Sequence, residues 1–188
     1  QLLPAPNVQT FPADGLAPVF NMVPDEVVQY THAAPGIGNL DEPYGQLASD
    51  WPAQWGAIDL GPGVQAVPPE VVLKPIGVRG RAGGGQLRYG TEYLSLPTGA
   101  SITLRFDEQI IDRAGDDLIV YPVIGGPADE VAEIFIGADA DNLISTGDIA
   151  ESGSATGIDL AEFGLSGPIQ FVKIIGKDVG GSTKGFDL

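Results

Sequence analysis

Three carboxylates crowd a single glycine turn in Asp112-Arg113-Ala114-Gly115-Asp116-Asp117. Like charges gathered at one bend repel unless water, a basic group or a cation separates them. An oxygen-only cluster is suited to a hard cation, and calcium takes about six to eight oxygens from carboxylates and loop carbonyls held by a sharp bend. Asp112, Asp116 and Asp117 are therefore the expected calcium ligands, with Asp187 joining them if the fold brings the end of the chain alongside. The competing reading of the same residues is a turn between strands whose carboxylates face water.

Other reactive constellations are weaker. His32 is the only histidine and no Gly-x-Ser-x-Gly elbow is present, so a serine triad has little to work with and a lone histidine rarely makes a transition-metal site. The chain has no cysteine, which excludes disulfides, thiolate metal sites and cysteine nucleophiles together. Nothing singles out one carboxylate pair for glycoside hydrolysis. Asp139-Ala140-Asp141-Asn142 opens like a calcium loop, but Leu143 and Ile144 stand where an oxygen ligand and a glycine would follow. A solvated turn is expected there. Gly77-Val78-Arg79-Gly80-Arg81-Ala82-Gly83-Gly84-Gly85 lacks the helix that a phosphate-cradling loop requires after it, and is expected to be a hairpin tip. No enzymatic activity is predicted.

The elements that must position the acidic turn are strands. Ser101-Ile102-Thr103-Leu104-Arg105-Phe106 alternates polar and apolar residues, as a strand with one buried face does. Glu26–Tyr30, Ala57–Leu60, Val71–Leu73, Gln86–Tyr89, Glu92–Leu96, Leu118–Val123, Val131–Ile136 and Ile169–Ile175 are further candidates. Val131–Ile136 is largely apolar, as a strand covered on both faces would be. Asp159–Phe163 is compatible with a single helical turn. With 27 glycines and 16 prolines in 188 residues, short strands between tight turns are favoured over long helices, which predicts an antiparallel β-sandwich or jelly roll. The sandwich is assigned to residues 25–188 as one domain.

Residues 1–24 read as an extended arm. Pro4, Pro6, Pro12, Pro18 and Pro24 oppose a helix, yet Leu2, Leu3, Val8 and Phe11 make the arm apolar. Such an arm is expected to lie on its own domain or on a neighbouring copy. Trp51 and Trp55, with Tyr44, offer either a plug for one end of the core or a stacking platform for sugar rings.

Charge narrows the partners. With 25 acids against 9 bases the formal charge is −16, a field that repels nucleic acid and anionic lipid and attracts divalent cations or basic surfaces. From Phe106 onward there are 16 acids and 4 bases, against 9 and 5 in residues 1–105. Arg79 and Arg81 form a basic patch that complements this acidic half, a basis for head-to-tail contact between copies. No apolar run is long enough to span a membrane. The start at Gln1 is expected to reflect removal of a secretory peptide, and an exported chain without disulfides commonly relies on calcium as a staple.

These residues also carry a family resemblance. Gly99-Ala100-Ser101-Ile102-Thr103-Leu104-Arg105-Phe106, followed by Ile110-Ile111-Asp112-x-x-Gly115-x-Asp117-Leu118-Ile119-Val120-Tyr121, resembles bacterial secreted and cell-surface proteins with a galactose-binding-like jelly roll. Ala132–Ile136, Gly157-Ile158-Asp159-Leu160-Ala161, Phe171–Ile174 and the closing Gly185-Phe186-Asp187-Leu188 are similar to later segments of that pattern. Pro122 departs from it where a glutamate is usual. The resemblance implies an exported, non-enzymatic β-sandwich, often surface-attached, with calcium or glycan binding.

The expected protein is thus an all-β extracellular or cell-surface structural and adhesive subunit. It polymerises or forms homo-oligomers through Leu2, Leu3, Val8, Phe11, Arg79 and Arg81, with calcium at the acidic turn. The alternative is a carbohydrate-binding module that takes cell-surface glycans on Trp51, Trp55 and Tyr44.

Overall fold

The structure is a computed structural model, and residues 23–35, 43–46, 65–73, 93–120, 131–150, 156–165, 167–177 and 185–188 are described. Among them the strands are β1 (Glu26–Thr31), β2 (Tyr44–Gln46), β3 (Gln65–Ala66), β4 (Tyr93–Leu96), β5 (Ser101–Ile110), β6 (Leu118–Val120), β7 (Val131–Gly137), β8 (Ile144–Ala150), β9 (Thr156–Ile158), β10 (Ile169–Gly176) and β11 (Phe186–Asp187). They pair antiparallel throughout, in a five-stranded sheet β1-β5-β10-β7-β8, a four-stranded sheet β11-β4-β2-β3 and a ribbon β6-β9. The all-β expectation is met. No helix among the described residues is long and apolar enough to cross a membrane.

Alternation explains how the sheets share one core. On β5, Ile102, Leu104 and Phe106 point inward, and β10 and β7 set Val172, Ile174, Ile134 and Ile136 beside them. The four-stranded sheet supplies Leu94, Leu96 and Phe186, and the ribbon supplies Val120 and Ile158. Each of these side chains is nearly sealed from water, a burial worth about 1.5–3 kcal/mol per large aliphatic group.

Val71–Leu73 corrects the expectation of a strand. Pro69–Leu73 forms a 3-10 turn instead, with Val71 N donating to Pro68 O at 3.1 Å. Two prolines in succession preset the φ values of a helical start and remove donors that a strand ladder would need. Val71 still reaches the core. Asp159–Phe163 meets its expectation: a 3-10 turn spans Leu160–Phe163, capped by Asp159 and closed by Gly164 at φ 69, a left-handed conformation that glycine adopts without strain. The expected strands Ala57–Leu60 and Gln86–Tyr89 lie outside the described residues, as do residues 121–123 of another.

β8 is an exposed edge pinned by polar contacts. Ser145 Oγ donates to Glu133 Oε1 at 2.6 Å, and Lys177 Nζ lies 2.9 Å from Glu133 Oε2 and 2.5 Å from Asp148 Oδ1. The Ser145 hydroxyl, followed by Lys177, holds the Glu133 carboxyl below its usual range. A register shift where β8 passes Ile134 and Phe135 bulges this edge, and a second shift bulges β1 between Val27 and Gln29. Bulges and charges at both outer edges oppose indiscriminate strand addition.

At the other edge, Tyr30 of β1 packs against the core and stacks edge-on against His32, with centroids 5.1 Å apart at 89°. Burial disfavours the phenolate and raises the Tyr30 pKa to about 12. An unfolded tyrosine ionises near 10, so between these values the folded chain holds more protons than the unfolded one. Stability is therefore expected to fall as pH rises across that interval. Urea denaturation at stepped alkaline pH should show a shallower decline for Tyr30→Phe than for the native chain.

Candidate functional site

The acidic site is assembled where the long strand β5 ends and the ribbon begins. After Ile110 the chain leaves the sheet and turns through Asp112–Asp117, and β6 then pairs with β9 in a register that sets Leu118 opposite Ile158. Asp117 N donates to Ile158 O at 2.9 Å, extending that ladder by one residue. The consequence is that Asp117 comes to rest beside Asp159, although the two are far apart in sequence. Gly115 takes φ 89 at the bend, which an L-residue with a side chain would adopt only with strain.

One oxygen from each of Asp112, Asp117 and Asp159 lies within 4.8 Å of the other two. Asp112 is exposed, whereas Asp117 and Asp159 are half-buried. Asp117 is the hub. Its Oδ1 accepts from Arg113 N at 2.8 Å and its Oδ2 from Leu160 N at 3.0 Å, so one side chain ties the turn to the 3-10 segment. Asp159 Oδ1 accepts from Ala161 N at 2.9 Å as the cap of that segment, and its Oδ2 carries no hydrogen bond among the described residues. Each backbone bond uses one lone pair of a carboxylate oxygen, which leaves others for a cation. The donor set contains only oxygen, the chemistry of calcium or magnesium rather than of zinc or copper. Like charges at this spacing repel by about 1 kcal/mol per pair in water and by more where water is excluded.

Two of the four expected ligands are therefore brought together, and the third member of the group was not expected. Asp116 is exposed and its carboxylate lies over Gly157 of β9, so close that a side chain at Gly157 would overlap it. Asp187 sits on β11 in the four-stranded sheet, where it accepts a hydrogen bond from the Ser95 hydroxyl. It is not part of the acidic group found among the described residues. The correction has a simple cause: β11 pairs with β4, and this places Asp187 on a different sheet from the turn. Asp159 was read only as the start of a helical turn. No local signal points to it, since Asp159 comes beside Asp117 only through the long-range pairing of β9 with β6.

The remaining expectations are placed as follows. Tyr44 is 1% exposed, so its ring is not presented to a sugar and cannot serve as a stacking surface. Asp139 makes the expected solvated turn, accepting from Asn142 N at 3.2 Å and, through its carboxylate, from Asp141 N at 3.0 Å. Trp51, Trp55, Leu2, Leu3, Val8, Phe11, Arg79 and Arg81 lie outside the described residues. Comparison of the chain with protein-family models, with curated proteins and with solved structures found no match.

Proposed function

We propose that this chain is an exported, non-enzymatic jelly-roll domain that builds an extracellular filament or surface layer from copies of itself, and that calcium closes its acidic corner. The observation that carries the reading is the meeting of Asp112, Asp117 and Asp159 from two separate loops within 4.8 Å. Three carboxylates without a dedicated cage suit the weak calcium affinities of extracellular modules, with dissociation constants of about 0.1–1 mM. Such a corner fills outside a cell and empties in cytosol. In a chain without cysteine, a cation joining the two loops supplies the cross-link that a disulfide would otherwise provide. The apolar arm supplies the assembly element, and the bulged outer edges of the large sheet direct that contact away from simple edge pairing.

The test is electron microscopy and thermal unfolding of the full chain and of a chain lacking residues 1–20, each with calcium or with chelator. The full chain is expected to assemble and the shortened chain to remain a folded monomer. Calcium at about a hundred times its dissociation constant stabilises by about 2.7 kcal/mol, which raises the unfolding midpoint by roughly 5–10 °C. Assembly that survives the deletion refutes the role of the arm. A midpoint indifferent to calcium refutes the role of the corner.

A further inference from the structure

β8 holds to the five-stranded sheet in a different way from its neighbours. β5, β7 and β10 send alternate side chains into the core, whereas none of Ile144, Ser145, Thr146, Gly147 and Asp148 belongs to the core or packs against it. Ile144 is 38% exposed although it lies opposite the sealed Ile136, and Ser145, Gly147 and Asp148 are exposed as well. Gly147 takes φ 103 within the strand, and the register shifts where β8 passes Ile134 and Phe135. This part of the strand is therefore attached by its ladder to β7 and by polar side chains. Thr146 Oγ donates to Ile134 O at 3.2 Å, and the remaining contacts are those of Ser145, Glu133, Asp148 and Lys177. A strand with few buried apolar contacts opens at a lower free energy than the strands of the core.

Lys177 is the one member of that cluster outside the β7–β8 hairpin. It directly follows β10, where its N–H donates to Val131 O at 2.8 Å. Its ammonium meets Glu133 on β7 and reaches past it to Asp148 on β8. One cation thus ties the end of β10 to both strands of the hairpin. Without it, Glu133 and Asp148 face each other across the ladder as like charges, an arrangement that destabilises a strand pair. The other charged side chain on β7, β8 and β10 is Lys173, which makes no ion pair among the described residues. Asp148, then Glu133, holds the Lys177 ammonium above its usual range, while Ser145, then Lys177, holds Glu133 below its own. The Glu133 contribution is therefore complete at neutral pH and is lost as pH falls through the carboxylate range, and that of Lys177 is lost only in strong alkali.

We infer that Lys177 latches a releasable edge strand: when its contacts to Glu133 and Asp148 are lost, Ile144–Ala150 opens from the sheet ahead of the other strands and uncovers the edge of β7. That edge carries Ala132, Ile134 and Ile136, and a bare apolar strand of this kind pairs with other chains. Acid and salt therefore control whether the sheet offers it, since exposed ion pairs are screened by salt. Hydrogen exchange of the full chain tests this, read by mass spectrometry as the protection of β8 against that of β5 and β10. At neutral pH and low salt, β8 is expected to be the less protected. Lys177→Met keeps the apolar stem and removes the charge. It should lower β8 protection by about fivefold, as two exposed pairs of ordinary strength imply, and leave β5 and β10 unchanged. As pH falls through the carboxylate range, β8 of the native chain should lose protection relative to β10. In Lys177→Met the same protonation relieves the repulsion between Glu133 and Asp148, so β8 should gain protection instead. Asp148→Asn is the second variant if Lys177→Met fails to fold, with a loss of about twofold from the single pair removed. Equal protection of β8, β5 and β10 overturns the inference, because the strand then opens only with the whole domain. So does β8 protection that these variants leave unchanged at neutral pH, or an acid response of the same sign in Lys177→Met and the native chain.

Discussion

Gly176→Ala is expected to destabilise the domain by about 3 kcal/mol, lowering its thermal midpoint by roughly 6–12 °C. Gly176 ends β10 at the place where the five-stranded sheet passes beneath the link from β4 to β5. Its N–H donates to Ala100 O and its carbonyl accepts from Gly99 N, each at 2.9 Å. An added Cβ would come within 2.6 Å of Leu96 C and 2.7 Å of Pro97 O, and closer still to Leu96 O. All three are backbone atoms, so no side chain can swing aside and the link itself must move. Leu96 is fully buried, and its displacement disturbs the contact between the two sheets. Gly167→Ala is the control, since nothing lies within 4 Å of the added atom there. Thermal unfolding of the two variants followed by circular dichroism should separate them clearly, and a small effect at Gly176 would mean that the sheets do not approach as closely as described.

Such an approach cannot be read from sequence, because it depends on which strands meet across the core. Periodicity within a strand can be read. The alternation of Ser101–Phe106 and the apolar runs Val131–Ile136 and Ile169–Ile175 located β5, β7 and β10, the heart of the large sheet. The apolar excess of Val131–Ile136 predicts cover on both faces, whereas β7 sets Ala132, Ile134 and Ile136 in the core and leaves Val131, Glu133 and Phe135 half-buried. β8 was missed because an exposed edge needs no apolar alternation, and Ser145-Thr146-Gly147-Asp148 reads as a turn. β2 was missed for the reverse reason. It is short, and Gly45 sits where a Cβ would come within 2.9 Å of the Tyr93 carbonyl carbon, a closeness that excludes the β-branched residues by which strands are usually recognised. At the site, the bend around Gly115 is local chemistry and was legible. The choice of Asp159 over Asp187 was not. It follows from β6 pairing with β9 and β11 with β4, two long-range registers that no short motif encodes.

Asp117→Ala is expected to be the most damaging change in the acidic corner, and Asp112→Asn the most diagnostic. Loss of the Asp117 carboxylate leaves Arg113 N and Leu160 N without their acceptor. Leu160 itself is fully buried, so water replaces that bond poorly. Hydrogen bonds to a charged group contribute about 1.5–3 kcal/mol. The exposed bond to Arg113 contributes less, and relief of carboxylate repulsion offsets about 1 kcal/mol. A net loss of about 2 kcal/mol follows in chelator, and a larger one in calcium because a ligand has gone as well. Asp112 differs in that it is exposed and has no hydrogen bond to lose among the described residues. In chelator, Asp112→Asn only removes a charge from a repelling trio, and the midpoint should rise by about 1–3 °C. In calcium the same substitution removes a ligand, and the midpoint should fall below that of the native chain. The reversal of sign is the informative result, because folding defects do not depend on calcium and simple repulsion does not change direction. Equal falls in both conditions would remove the cation from this corner. Equal rises would leave three carboxylates that merely repel, held together by the backbone bonds of Asp117.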